Sequence, residues 1–167
     1  MTVKINLTPT QLAILVLLRA EDIKGNAYSA IPGKTHLVKE IFAIQKTAIG
    51  EKLLPELKFE PDNYGPFDET IYAALDSLKD AGFVTFDSMS NNYVKIALTE
   101  KGKETSDHFW KKLKDEVKSI FKYVKINFNH LSSENVLEKI YAAYPELTVN
   151  SLSKVADKYR PKKGLAQ

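Results

Sequence analysis

Between residues 64 and 104 the spacing of apolar positions changes from helical to alternating and back, and this change defines the central motif of the chain. Ile71, Leu75 and Leu78 recur at helical spacing. Ahead of them stand Pro66, which a first helical turn tolerates, and Asp68 and Glu69, which favour the positive end of a helix. Gly82 stops this helix where a left-handed cap costs little. The period then shortens to two, so residues 83–87 and 93–98 read as strands joined by a polar turn over 88–92. Thr99 caps the next helix, and Gly102 inside it lets a second backbone pass closely. Helix, strand, turn, strand, helix is the back half of a winged helix-turn-helix.

The rest of the chain builds around this motif. Residues 8–20 predict a helix in which Leu12, Ile14, Leu15, Val16, Leu17 and Leu18 leave almost no polar face, so it is read as the core helix. A loop over 21–33 leads to a second helix over 35–49, apolar at Leu37, Val38, Ile41, Phe42 and Ile44. Pro55, Pro61 and Pro66 then predict a stiff, irregular loop inserted on the helix-turn-helix plan. Residues 100–125 read as the longest helix. In it Trp110, Leu113, Val117, Ile120 and Val124 step by 3, 4, 3, 4, the spacing of a coiled-coil seam. This seam covers the chain's own first helix or pairs with its copy across a dimer interface; with the all-apolar first helix beside it, the expected assembly is a homodimer. Two short helices complete the chain. Ser132 or Ser133 caps the first, which Pro145 stops; Thr148 caps the second, with Val149, Leu152, Val155 and Tyr159 as its stripe. The expected organisation is a winged-helix core over 1–130, a C-terminal helical pair packed on it over 131–160, and a basic tail over 161–167. The expected fold class is α+β, mostly helical: a winged helix-turn-helix with a two-stranded wing hairpin and extra C-terminal helices.

Composition narrows the chemistry. At 167 residues with 44% hydrophobic and 27% charged, the chain is long and apolar enough for one main core. The absence of cysteine excludes disulfides, thiolate metal sites and a cysteine nucleophile. The start of the sequence has no signal-peptide plan and the apolar run at 12–18 is too short to span a bilayer, so the expectation is a cytoplasmic protein without a membrane partner. Charge is unevenly spread. Residues 1–92 hold 9 Lys+Arg against 12 Asp+Glu, and the remainder hold 15 against 9, so the halves carry net −3 and net +6.

No catalytic constellation emerges, so the chain is read as no enzyme and as needing no cofactor or metal. His36, His108 and His130 are scattered, and His36 near a helix start reads as a cap or a solvated residue. Gly33-Lys34-Thr35 fails as a phosphate loop because Tyr28 stands where the first glycine belongs. Two interaction readings remain. The helix in the recognition position offers Asp68, Glu69, Asp76 and Asp80, which repel phosphates but suit a basic protein partner. Double-stranded DNA would instead be gripped by lysines of the long helix (Lys101, Lys103, Lys111 and Lys112, with Lys114, Lys118 and Lys122 beside them) and by Lys158, Arg160, Lys162 and Lys163 near the end. DNA binding is preferred over protein binding alone, and both stay open.

Three segments carry a resemblance: IPGKTHLVKEIF at 31–42, YGPFDETIYAALDSLKDAGFV at 64–84 and VLEKIYAAYPELTVNSLSK at 136–154. In that order they resemble the YwgA-like proteins and, more distantly, the SocA-like antitoxins of the Panacea group. The resemblance covers most of the chain in patches, and the tyrosine-glycine-proline turn is its most specific part. It implies a compact helical protein of winged-helix character engaged in regulation or partner binding. It implies no reaction.

Overall fold

A computed structural model of the chain describes residues 6–88 and 94–160. Helix α1 (Pro9–Arg19) begins with a reciprocal cap, in which the Thr8 hydroxyl accepts from Gln11 N and the Gln11 side chain accepts from Thr8 N. Its residues 13–18 are buried, which makes it the axle of the core. Helix α2 (Lys34–Gln45) follows Gly33, whose φ of 122° provides the reversal into the helix. A short α3 (Ala48–Leu53) leads to α4 (Glu69–Asp80), which lays Ile71, Ala74, Leu75 and Leu78 into the main apolar cluster with α1. Gly82, at φ 82°, ends α4 as its position foretells.

The strands β3 (Val84–Ser88) and β4 (Val94–Leu98) pair antiparallel, in register from Val84↔Leu98 to Ser88↔Val94. Ile31, between α1 and α2, bridges Ile96 on the other edge of β4. That order, helix, bridge, helices, hairpin, helix, is the winged-helix layout. Helix α5 (Glu100–Lys112) packs its N-terminus against the hairpin. A Cβ at Gly102 would lie 2.0 Å from the Phe83 carbonyl oxygen, so only glycine permits the approach. The expected turn between the strands falls largely on residues 89–93, outside the described residues.

Several expectations need correction. Pro66 is not in a first helical turn; it lies in β2 (Gly65–Phe67), which pairs antiparallel with β1 (Glu60–Asp62). The stretch expected to be irregular is therefore a short helix and a tight hairpin, and α4 starts only at Glu69, where Asp68 caps it. The single helix over 100–125 is two. Leu113 and Lys114 are extended (ψ 145° and 150°), and α6 (Asp115–Phe128) starts afresh. Lys111 and Lys112 suit the negative end of α5, and Asp115 and Glu116 suit the positive start of α6, so the charges favour a break. The seam residues lie in the chain's own core: Trp110, Val117 and Val124 are buried there, and Leu113 and Ile120 pack against it. Nor does Thr148 start a helix. After α7 (Ser133–Ala143) come two 3₁₀ turns, Pro145–Thr148 and Lys154–Lys158, with Val149 and Leu152 exposed between them. Leu152 N instead donates to Asn63 O and ties this lobe to the β1–β2 turn.

His36 is neither a cap nor solvated. It is buried and its Nε2 donates to Phe128 O at 2.9 Å, which fixes a neutral tautomer; burial holds its pKa down at about 4. Glu40, one turn on, lies 3.6 Å from that nitrogen, fully buried, and neither of its oxygens has a hydrogen-bond partner. Burial raises its carboxyl, an effect the Lys125 ammonium only partly opposes. The pair is thus two neutral groups in contact at neutral pH. Lys125 itself is buried, and its Nζ donates to Leu17 O, Leu18 O and Ser29 O at 2.9, 3.1 and 2.9 Å.

Lys125→Met keeps the aliphatic stem and leaves three buried carbonyls without their donor. Urea unfolding should show a loss of about 3–5 kcal/mol; a loss below about 1 kcal/mol would mean that the carbonyls find other donors. A second test uses pH. The folded Glu40 carboxyl titrates above its unfolded value, so its contribution to stability is complete below the unfolded pKa and is lost as pH rises through the folded one. His36, depressed, acts oppositely only below its ordinary value of 6.5. Relative to Glu40→Gln, the native chain should therefore lose melting temperature between about pH 6.5 and 8. A constant difference between the two proteins across that range would contradict the assignment.

Candidate nucleic-acid interface

The break at Leu113–Lys114 decides where the lysines go. In one continuous helix, Lys118 and Lys122 would rise about 12 and 18 Å beyond Trp110 along the axis. In the bent pair both ammonium groups lie 5.9 Å from the Trp110 ring centre. Arg19, the last residue of α1, brings its guanidinium between two rings, 5.1 Å from Trp110 and 5.1 Å from Tyr28. Lys103, two turns before Trp110 on α5, lies 5.5 Å from Tyr28. Four cations thus meet around two aromatic rings, with α1, the 21–33 loop, α5 and α6 each contributing.

One carboxylate organises the group. Asp107 accepts from Arg19 Nε and, at 2.6 Å, from the Tyr28 hydroxyl; this hydrogen bond, with some burial, holds the Tyr28 phenol above its usual pKa. Tyr28 adopts a φ of 64°, a left-handed conformation that costs a bulky residue energy. The bond to Asp107 and the Arg19 stack hold it there. Arg19 Nη1 is left without a partner. Arg19 is mostly enclosed, with Nη1 itself buried, so its stacked guanidinium adds positive charge beneath the surface while the lysine ammonium groups carry the donors that reach solvent. The arrangement suits phosphate oxygens.

The other residues singled out by sequence are distributed differently. Lys101 Nζ donates to Ala81 O at 2.7 Å and caps the end of α4. Lys111 and Lys112 are exposed on the last turn of α5, but no ring contact draws them into the cluster. Lys158 faces Glu138 at 3.6 Å. Arg160 is committed to Asp157 and to the carbonyls of Thr148 and Ser151, so it closes the C-terminal lobe. Lys162 and Lys163 lie outside the described residues. On the acidic side, Glu69, Asp76 and Asp80 are exposed. Asp68 is not among them: it is buried and accepts from Thr70 N at 2.8 Å and Lys58 N at 2.6 Å. Only Lys103, Lys118 and Lys122 of the anticipated lysines join the cluster. Arg19, Tyr28 and Asp107 as their organisers were missed, because Asp107 lies 88 and 79 residues from Arg19 and Tyr28 in sequence.

Among the described residues no group of three or more histidine, cysteine or acidic side chains is placed to hold a metal ion, and no helix is long and apolar enough to cross a membrane. The chain matches no protein-family model and no curated protein.

Proposed function

We propose that the chain is a non-enzymatic regulatory protein of winged-helix layout that binds duplex DNA through its phosphates, at the α5–α6 elbow and not through α4. The observation that carries this reading is the meeting of Arg19, Lys103, Lys118 and Lys122 around Trp110 and Tyr28, against two carboxylates: Asp107, engaged by Arg19 and Tyr28, and the exposed Glu100, which lies 3.3 Å from Lys103. Phosphate contacts of this kind position a protein on a duplex and carry little sequence information. Helix α4, in the place where winged-helix proteins read bases, presents Glu69, Asp76 and Asp80 instead. Those acids support the second reading, a module that captures a basic protein partner on α4. No ion pair among the described residues engages them. The seam that could have served a homodimer is used inside the chain, so the proposal asks for no second copy.

Polarisation titrations with a random duplex at 50 and 200 mM salt separate the readings. Four phosphate contacts give a loss of affinity of roughly a hundredfold over that range. The triple change Lys103→Gln, Lys118→Gln, Lys122→Gln should weaken binding to every duplex alike and reduce the salt slope by about 0.9 for each phosphate no longer neutralised. Asp76→Asn with Asp80→Asn should leave the affinity equal or higher. Salt-insensitive binding, or a triple variant that binds like the native chain, sinks the elbow reading. The partner reading gains if neutral α4 variants lose capture of a basic protein while the lysine variant keeps it.

A further inference from the structure

A second site lies away from the elbow, in a cleft of about 100 Å³ walled by Thr35, Val38 and Lys39 of α2, the β1–β2 hairpin and Tyr72 of α4. Lys39 is only 3% exposed, yet no hydrogen bond or ion pair within 4.0 Å engages its Nζ among the described residues. Burial lowers its pKa to about 8, so at neutral pH it still carries charge. Asp62 lines the same cleft from the hairpin, near enough to Tyr72 to help raise that phenol, and it too has no cation within ion-pair distance. A nearly enclosed ammonium and an exposed carboxylate therefore line one small cleft without touching.

Asp62, exposed and hydrated at the cleft edge, is held apart from Lys39 by the walls between them. Those walls are fixed. Gly65, at φ 104°, lets the hairpin close over the lysine: a Cβ there would lie 2.9 Å from Leu137 Cδ1 and 3.6 Å from Lys39 Cε. The hairpin is held from behind by the C-terminal lobe, with Leu152 N and Ser151 Oγ donating to Asn63 O at 2.7 and 3.1 Å and Asn150 Nδ2 to Pro61 O at 3.2 Å. Asp68 accepts from Lys58 N and Thr70 N where the hairpin passes into α4. The Lys39 side chain is nearly enclosed and its ammonium, at the cleft, has no counter-ion among the described residues, a cost that an anion there relieves. A simple anion would meet the Asp62 carboxylate in the same space.

We infer that this cleft is an effector site for a small zwitterion, of the size and charge of a short α-amino acid, whose carboxylate pairs with Lys39 and whose ammonium pairs with Asp62. Val38, Pro66 and Phe67 supply an apolar wall for a one- or two-carbon side chain. Because Tyr72 belongs to α4, an occupant joins α2, the hairpin and α4 into one unit. This site is independent of the elbow and of whether DNA is bound.

The test uses the full chain and calorimetric and thermal-shift titrations with glycine, L-alanine and L-serine, beside acetate and methylamine as half-ligands. Titration up to about 10 mM should give saturable binding of at least one amino acid and a rise in melting temperature with its concentration. Acetate and methylamine should each bind much more weakly. Lys39→Met and Asp62→Asn should each weaken binding about thirtyfold or more. Neither should lower the melting temperature without ligand, which separates a binding role from a fold role. Labelled Gly65 should shift in amide spectra of the native chain on titration. The inference is overturned if none of the three amino acids gives saturable binding, or if acetate binds as well as they do. It is also overturned if the two variants bind like the native chain. An aromatic or long amino acid, such as L-phenylalanine, should not fit, and equal binding by it would count against this cleft.

Discussion

Three backbone carbonyls at the end of α1 and just after it share one buried ammonium. A helix leaves its last four carbonyls without partners inside the helix. In α1 each is accounted for: Val16 O accepts from Ala20 N, Leu17 O and Leu18 O from Lys125 Nζ, and Arg19 O from Tyr28 N. The same ammonium holds Ser29 O, and four residues along α6 Asn129 Nδ2 holds Ala30 O at 3.0 Å. One turn of α6 therefore fixes both the end of the core helix and the loop that delivers Tyr28 and Ile31. A positive charge at a helix C-terminus also opposes the helix dipole, an effect strengthened by burial. Glu40 and His36, facing α6 from α2, are neutral, so neither offsets the Lys125 charge with a full charge of its own at neutral pH.

This clamp makes the basic face possible. With α6 tied to α1 by Lys125, its lysines at 118 and 122 must turn toward Trp110 as the chain bends at Leu113. Arg19, next to the clamped carbonyls, is then carried between Trp110 and Tyr28. The surplus of cations in the second half of the sequence is spread over several uses, and only part of it forms the cluster. Lys101 caps α4, Arg160 closes the C-terminal lobe, and Lys125 is internal.

The wing hairpin and α4 were legible because their signals are local: apolar spacing, a glycine stop, and a period of two. The core role of α1 was legible from a helix with no polar face. The break between α5 and α6 has a local trace in lysines at 111–112 followed by acids at 115–116, but an apolar seam of regular spacing runs across it and reads as one helix. Buried His36, Lys39, Glu40 and Lys125 could not be seen. Each sits on a helix whose neighbours are set by contacts about a hundred residues away, and a charged residue beside apolar ones looks the same whether it snorkels or is enclosed. The cleft around Lys39 depends on a hairpin hidden in a proline-rich stretch, where three prolines pointed to irregular chain. Of the elbow, the lysines were in view and their organisers were not.

The nucleic-acid face proposed for this chain is the α5–α6 elbow, with α4 clear of the duplex. Amide and indole NMR shifts of the labelled chain, followed during titration with a short random duplex, test this most directly. The largest changes should fall at the Trp110 indole N–H and at the amides of residues 103–122, with α4 amides little moved. Shifts centred on residues 69–80, with the indole unmoved, would contradict it.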